Sequence, residues 1–227
     1  MEDIVISQGY LERLRPNGIH LSMSTVSPVT ARKLAELHAK HGSIYLAAPV
    51  FGRPEAAAAA KLWICLAGSQ AAKDRVQPVL KAMGQGIFDF GDDPGAANIV
   101  KLCGNFLIVS AMEAMAEALT LAEKNGLDRS AVIDMLTQTL FSVPIYQNYG
   151  KMIAEKRHTP AGFQQNLGFK DVNLLIEAAE QARMPMPVAS VLHDRLLAGI
   201  AKGRGEMDWS ALALDVLENA GLELPQR

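Results

Sequence analysis

Lys101 stands in the run Asn98-Ile99-Val100-Lys101-Leu102-Cys103-Gly104-Asn105, which is otherwise largely apolar. Asn105 follows four residues later, on the same face of any helix formed there. A lysine with apolar neighbours either extends its ammonium to solvent or sits in a cleft. In a cleft, partial desolvation draws its proton affinity towards neutrality and suits it to general acid–base work. Spacing alone favours the solvated lysine and a surface asparagine. A second group, Ser24-Thr25-Val26-Ser27-Pro28, lies where a strand gives way to a helix. Ligands of open α/β sheets bind at such carboxyl ends, but Ser27 before Pro28 is also a plain helix cap, and pattern alone favours the cap. Gly52 in Ala48-Pro49-Val50-Phe51-Gly52-Arg53-Pro54 either admits a ligand to the backbone or makes a turn, and Arg53 either pairs with an anion or is solvated. Phe163 and Lys170-Asp171 precede a mostly apolar run and say little by themselves.

The histidines, His20, His38, His41, His158 and His193, include one pair at helical spacing, His38 and His41. Two ligands without a third make a poor metal site, so all five read as structural or surface residues and no metal is expected. Cys65 and Cys103 both lie in apolar runs and read as two buried thiols of a reducing compartment.

The elements that must position these residues change character near residue 94. Before it, short β-rich runs alternate with helical ones. A short helix is expected over 1–15, strands over 19–23, 44–50, 62–67 and 86–90, and helices over 28–41 and 70–83, the last with Pro78 inside. That alternation predicts a thin α/β layer with at least partly parallel strands. After Asp92-Asp93-Pro94-Gly95 the strands stop. Helices are expected over 96–125, 130–139, 145–154, 169–182, 187–199 and 209–220. The expected domains are residues 1–94 and an all-α domain over 95–227.

The bulk numbers exclude several classes. A net charge of −2 and an aromatic content of 6% argue against a nucleic-acid partner. The N-terminal residues do not read as a signal peptide, and no run of about 20 apolar residues predicts a membrane span. A cytoplasmic protein without nucleic-acid or membrane partners is the expectation.

Together these segments resemble the β-hydroxyacid dehydrogenase family, which includes 3-hydroxyisobutyrate dehydrogenase and the glyoxylate/succinic semialdehyde reductases. Four blocks match in order: Ser24-Thr25-Val26-Ser27-Pro28; Ala48-Pro49-Val50-Phe51-Gly52; Gly95 through Lys101 to Asn105; and Phe163 with Lys170-Asp171. The resemblance implies a partial Rossmann-like α/β layer followed by an all-α domain like the C-terminal domain of 6-phosphogluconate dehydrogenase. It implies NAD or NADP as cofactor, and a small hydroxy acid, aldehyde or keto acid as substrate. Lys101 would be the general acid/base and Asn105 would orient the substrate. Ser24, Thr25 and the backbone at Gly52 would hold the substrate carboxylate or the nicotinamide ribose, with Phe163, Lys170 and Asp171 closing over the cofactor. The helical domain would build a homodimer or homotetramer. An imine-reductase-like enzyme is the nearer alternative, against which Lys101 argues; a non-catalytic helical dimerisation module is the further one.

The sequence departs from the family pattern in three places. Phe51 and Arg53 replace a serine and a glycine, and Ala47 replaces an aspartate. The substrate pocket is therefore expected to differ. Largest of all, no Gly-x-Gly-x-x-Gly occurs in the 227 residues, so the pyrophosphate cradle is missing. A fragment of a longer parent is the favoured explanation, and a short protein that binds dinucleotide weakly is the other. Such a chain is expected to be poorly stable unless its helical domain is held in a dimer.

Overall fold

The computed structural model describes Val5 and residues 9–224. Packing divides the chain into two compact units, Met1–Cys103 and Gly104–Arg227. The helix expected over 1–15 appears as α1 (Tyr10–Arg13), and residues 1–4 and 6–8 of that expectation lie outside the described residues.

In the first unit, β1 (Ile19–Ser22) pairs in parallel with β2 (Ile44–Ala47), Ile19 opposite Ile44 and Ser22 opposite Ala47. Between them runs α2 (Pro28–Lys40). Ser27 is the cap that the pattern favoured: its hydroxyl accepts from Thr30 N at 3.0 Å, ahead of Pro28 at the first helical position. Ala31, Leu34 and His38 recur at helical spacing on the buried face. The strand expected over 44–50 is two strands. Pro49 has no N–H for a ladder, and beyond it β3 (Val50–Phe51) pairs antiparallel with β4 (Leu62–Leu66). The short α3 (Pro54–Ala58) connects β3 to β4. β4 in turn pairs in parallel with β5 (Gly84–Asp89). A reciprocal backbone pair between Ala47 and Ala67, at 3.1 and 2.9 Å, joins the two small sheets.

α4 (Gln70–Met83) passes through Pro78 without a break, because that proline is on the exposed side. Its Lys73, 2% exposed, reaches Asp89 of β5 at 2.8 Å and fixes helix to strand.

α5 (Pro94–Lys124) spans the division at residue 103. By length and composition it is apolar enough to cross a membrane, although it holds no run of about 20 consecutive apolar residues. Part of its apolar content is core: Ala97 packs in the first unit, and Val109, Met112, Met115 and Leu119 pack in the second. There they meet α6 (Arg129–Gln138), α7 (Pro144–Ala154), α8 (Gln165–Gln181), α9 (Pro187–Ala201) and α10 (Leu212–Asn219) through Ile133, Ile153, Val172, Leu192, Leu196 and Leu212. A single 3-10 turn, Trp209–Ala211, leads into α10. α8 lies close to α9 because Gly199 has no side chain: a Cβ there would stand 2.0 Å from Gln165 Nε2.

Candidate active site

Lys101 does not extend to solvent. It is 8% exposed, and its Nζ lies 4.2 Å from the centroid of the Phe51 ring, well within cation–π range. Phe51 ends β3 and is half-buried against the core of Ala31, Leu34, Tyr45 and Ala97, so the surface beneath the ammonium is held by packing. The Lys101 charge is also felt on β4, where it pulls down the Cys65 thiol while burial, the larger effect, pushes that thiol up.

The Ser24–Thr25 loop is secured by a residue to which the sequence analysis gave no role. Asn98, fully buried, accepts a hydrogen bond from Val26 N at 3.1 Å. It stands three residues before Lys101 on α5, so one helix holds both the lysine and the loop. An asparagine in an apolar helical run, spaced to share the lysine's face, was the available signal. Ser24 is exposed and Thr25 half-buried. Gly52 has φ +142°, and a Cβ there would lie 2.7 Å from Leu62 Cδ2. Strand geometry therefore already requires this glycine. Arg53, half-buried, stands just before α3.

In the helical unit, the structure brings three expected residues together. Asn105 Nδ2 donates to Asp171 Oδ2 at 2.6 Å, and Lys170 Nζ lies 3.0 Å from Asp171 Oδ1. Asp171 is buried while the Lys170 side chain is 46% exposed. A sunken carboxylate thus fixes an accessible ammonium and an amide, a donor set suited to oxygen-rich or anionic groups. Phe163 is not in this cluster; its ring packs edge-on against Trp209, centroids 4.8 Å apart.

The loop bearing Phe163 is organised by Asp208, another residue missed from sequence. Asp208 is fully buried and accepts from Gly162 N at 3.0 Å, Phe163 N at 3.2 Å and Ser210 N at 3.1 Å. Nothing near it in sequence announces bonds to a loop some 45 residues away. Two of the histidines have buried partners: His158 has its Nδ1 2.9 Å from Ser210 Oγ, and His38 Nδ1 bonds Leu34 O at 2.7 Å. One cysteine expectation is corrected. Cys65 is buried, but Cys103 is exposed, because its position on α5 points away from the core that Leu102 enters.

Comparison with known proteins agrees with this architecture. Residues 95–216 match the family described as the NAD-binding domain of NADP-dependent 3-hydroxyisobutyrate dehydrogenase, and residues 2–91 match the NAD-binding domain of 6-phosphogluconate dehydrogenase. The chain is 45% identical to an uncharacterized oxidoreductase, YfjR, of Bacillus subtilis, over 90% of this chain and 71% of that protein. It is 32% identical to 2-(hydroxymethyl)glutarate dehydrogenase of Eubacterium barkeri, over 90% of this chain and 67% of the relative. The structure of a 3-hydroxyisobutyrate dehydrogenase from Salmonella typhimurium superposes with a TM-score of 0.86 at 26% identity, covering 94% of this chain and 74% of that one.

The chain belongs to the β-hydroxyacid dehydrogenase family. Its chemistry is that of an NAD(P)-dependent oxidoreductase acting on a small molecule.

Proposed function

We propose that this chain oxidises a small hydroxy acid, or reduces the matching aldehyde or keto acid, with Lys101 as the general acid/base. The observation that carries this reading is the burial of Lys101, 8% exposed with its ammonium seated on Phe51, in the same unit as Ser24, Thr25 and Gly52. In reduction, Lys101 Nζ donates a proton to the carbonyl oxygen as the carbon becomes tetrahedral; in oxidation it accepts the hydroxyl proton. Ser24, Thr25 and the Gly52 backbone supply donors for the substrate carboxylate, on a loop that Asn98 keeps from drifting.

The polar cluster of the helical unit supports a cofactor-binding role. A buried Asp171 can accept from a hydroxyl, and the half-exposed Lys170 can meet an anion. Asn105 orients the substrate, while Thr25 and Phe163 are the remaining residues assigned to the nicotinamide end. NAD or NADP, when bound, supplies or takes up the hydride. The pyrophosphate cradle of the family is not among these residues, since the 227 residues hold no Gly-x-Gly-x-x-Gly. We further assign the helical unit to self-association, as a homodimer or homotetramer. Leu107, Leu121 and Leu140, 66, 66 and 80% exposed, are the kind of surface such an interface covers.

Fluorescence titration of the purified chain with NADPH and with NADH tests the cofactor reading. Saturable binding in the micromolar range is expected. No binding up to millimolar cofactor refutes the reading that this chain is itself an active reductase.

A further inference from the structure

Phe51 places a large apolar side chain against the Lys101 ammonium, and it packs against the core of its unit. The ring packs against the core cluster that contains Ala31, Leu34 and Ala97, and at Gly52, the next residue, a Cβ would stand 2.7 Å from Leu62 Cδ2. The ring is only half-buried, so part of its surface stays open.

A substrate oxygen that exchanges a proton with Lys101 must lie about 2.7–3.1 Å from Nζ. With Nζ 4.2 Å from the ring centroid, a substrate that meets Nζ from the ring's open side sets its reacting carbon and the substituents on the neighbouring carbon against Phe51. Resting on the assignment of Lys101 above, we propose that Phe51 is a specificity-determining residue that selects hydroxy acids whose C2 substituent is apolar. Three properties of the ring give that direction. An alkyl group against it gains dispersion and loses no hydrogen bond. A hydroxyl against the ring gives up water and gains no acceptor from the ring itself. An ammonium there meets a ring face already occupied by the Lys101 charge. The substrate carboxylate is attracted by the same charge that repels a second ammonium.

Two acids isolate the effect. 3-Hydroxyisobutyrate and L-serine share a three-carbon skeleton with a terminal hydroxymethyl group and differ at C2, methyl in one and ammonium in the other. Calorimetric titration of the full chain with each, followed by NAD- and NADP-linked turnover, reads the selectivity. The unaltered chain is expected to prefer the methyl acid by about tenfold or more, the scale of one well-placed pocket contact. Phe51→Ser is expected to collapse the ratio to near unity, and Phe51→Leu, which keeps the apolar surface and the fold, to retain most of it. Equal affinity for the two acids in the unaltered chain overturns the proposal. So does a ratio that survives Phe51→Ser, or the absence of binding by either acid. Lys101→Ala separates this from the reading beneath it. Turnover that persists in Lys101→Ala removes the acid/base assignment, whereas loss of turnover together with unchanged selectivity in Phe51→Ser removes only the role of Phe51.

Discussion

Replacing Asn98 should weaken both the fold and the substrate loop, and by an amount the structure lets us bound. Its side chain is fully buried, and its Oδ1 is 3.1 Å from the N–H of Val26, itself only 9% exposed. Asn98→Leu fills similar volume but removes the acceptor, leaving a buried donor without its bond. Stranding such a donor costs about 1–3 kcal/mol. Asn98→Ala adds a cavity of roughly side-chain size, so it should fall at or beyond the upper end of that range. Chemical denaturation of the two variants reads the first effect. Steady-state kinetics read the second, because Ser24 and Thr25 lie immediately before the freed Val26. Substrate KM should rise several-fold in Asn98→Leu, with a smaller change in kcat. An Asn98→Leu protein within about 0.5 kcal/mol of the original, the usual scatter of neutral substitutions, and with unaltered KM, would show that this bond neither stabilises the fold nor holds the loop.

Other expectations follow from the same reasoning. His158 is buried and neutral, its pKa held down to about 4 chiefly by desolvation, against 6.5 unfolded. Its folded pKa is depressed, so the stability at stake is complete above pH 6.5 and is lost as pH falls towards 4, by about 3 kcal/mol at most. His20, also lowered to about 4, acts in the same direction in the first unit; a melting temperature that is flat between pH 7 and 4 contradicts both. Arg195→Leu leaves Glu113, 6% exposed, without the guanidinium that holds it at 2.7–3.1 Å, and should cost about 3–5 kcal/mol in a denaturation titration. Gly199→Ala drives a methyl into Gln165 and should destabilise by about 1–3 kcal/mol, where a neutral result would mean that α8 and α9 have room to part.

Much of the fold is legible in the sequence because the local signals are strong and agree. Ser27-Pro28 starts α2, Asp128 caps α6 by accepting from Ala131 N at 2.9 Å, and prolines open α7 and α9 where the pattern places them. The departures have physical causes. An apolar run from Ile44 to Val50 reads as one strand, yet Pro49 interrupts the ladder and hands the chain to a second sheet. Sequence periodicity carries no information about which sheet a strand joins. α8 begins at Gln165, four residues before its expected start, because Gly168 and the polar Asn166 dilute the apolar pattern there. At the site, Lys101 and Asn105 stand out through their spacing on an apolar helix, but spacing leaves open whether the lysine is buried. Only packing against Phe51 decides that. Asp208 and Asn98 act on distant backbone N–H groups, and such tertiary hydrogen bonds leave no local trace in the residues around them.

The central claim is that the buried Lys101 moves the proton in a hydroxy-acid redox reaction. The most direct measurement is NAD(P)-linked turnover by Lys101→Ala and Lys101→Met beside the unaltered chain, with folding of each verified by its thermal melt. Loss of turnover by at least about a hundredfold, the contribution of a positioned acid/base, with cofactor affinity retained, is the result this account predicts. Folded variants that turn over as fast as the original would contradict it.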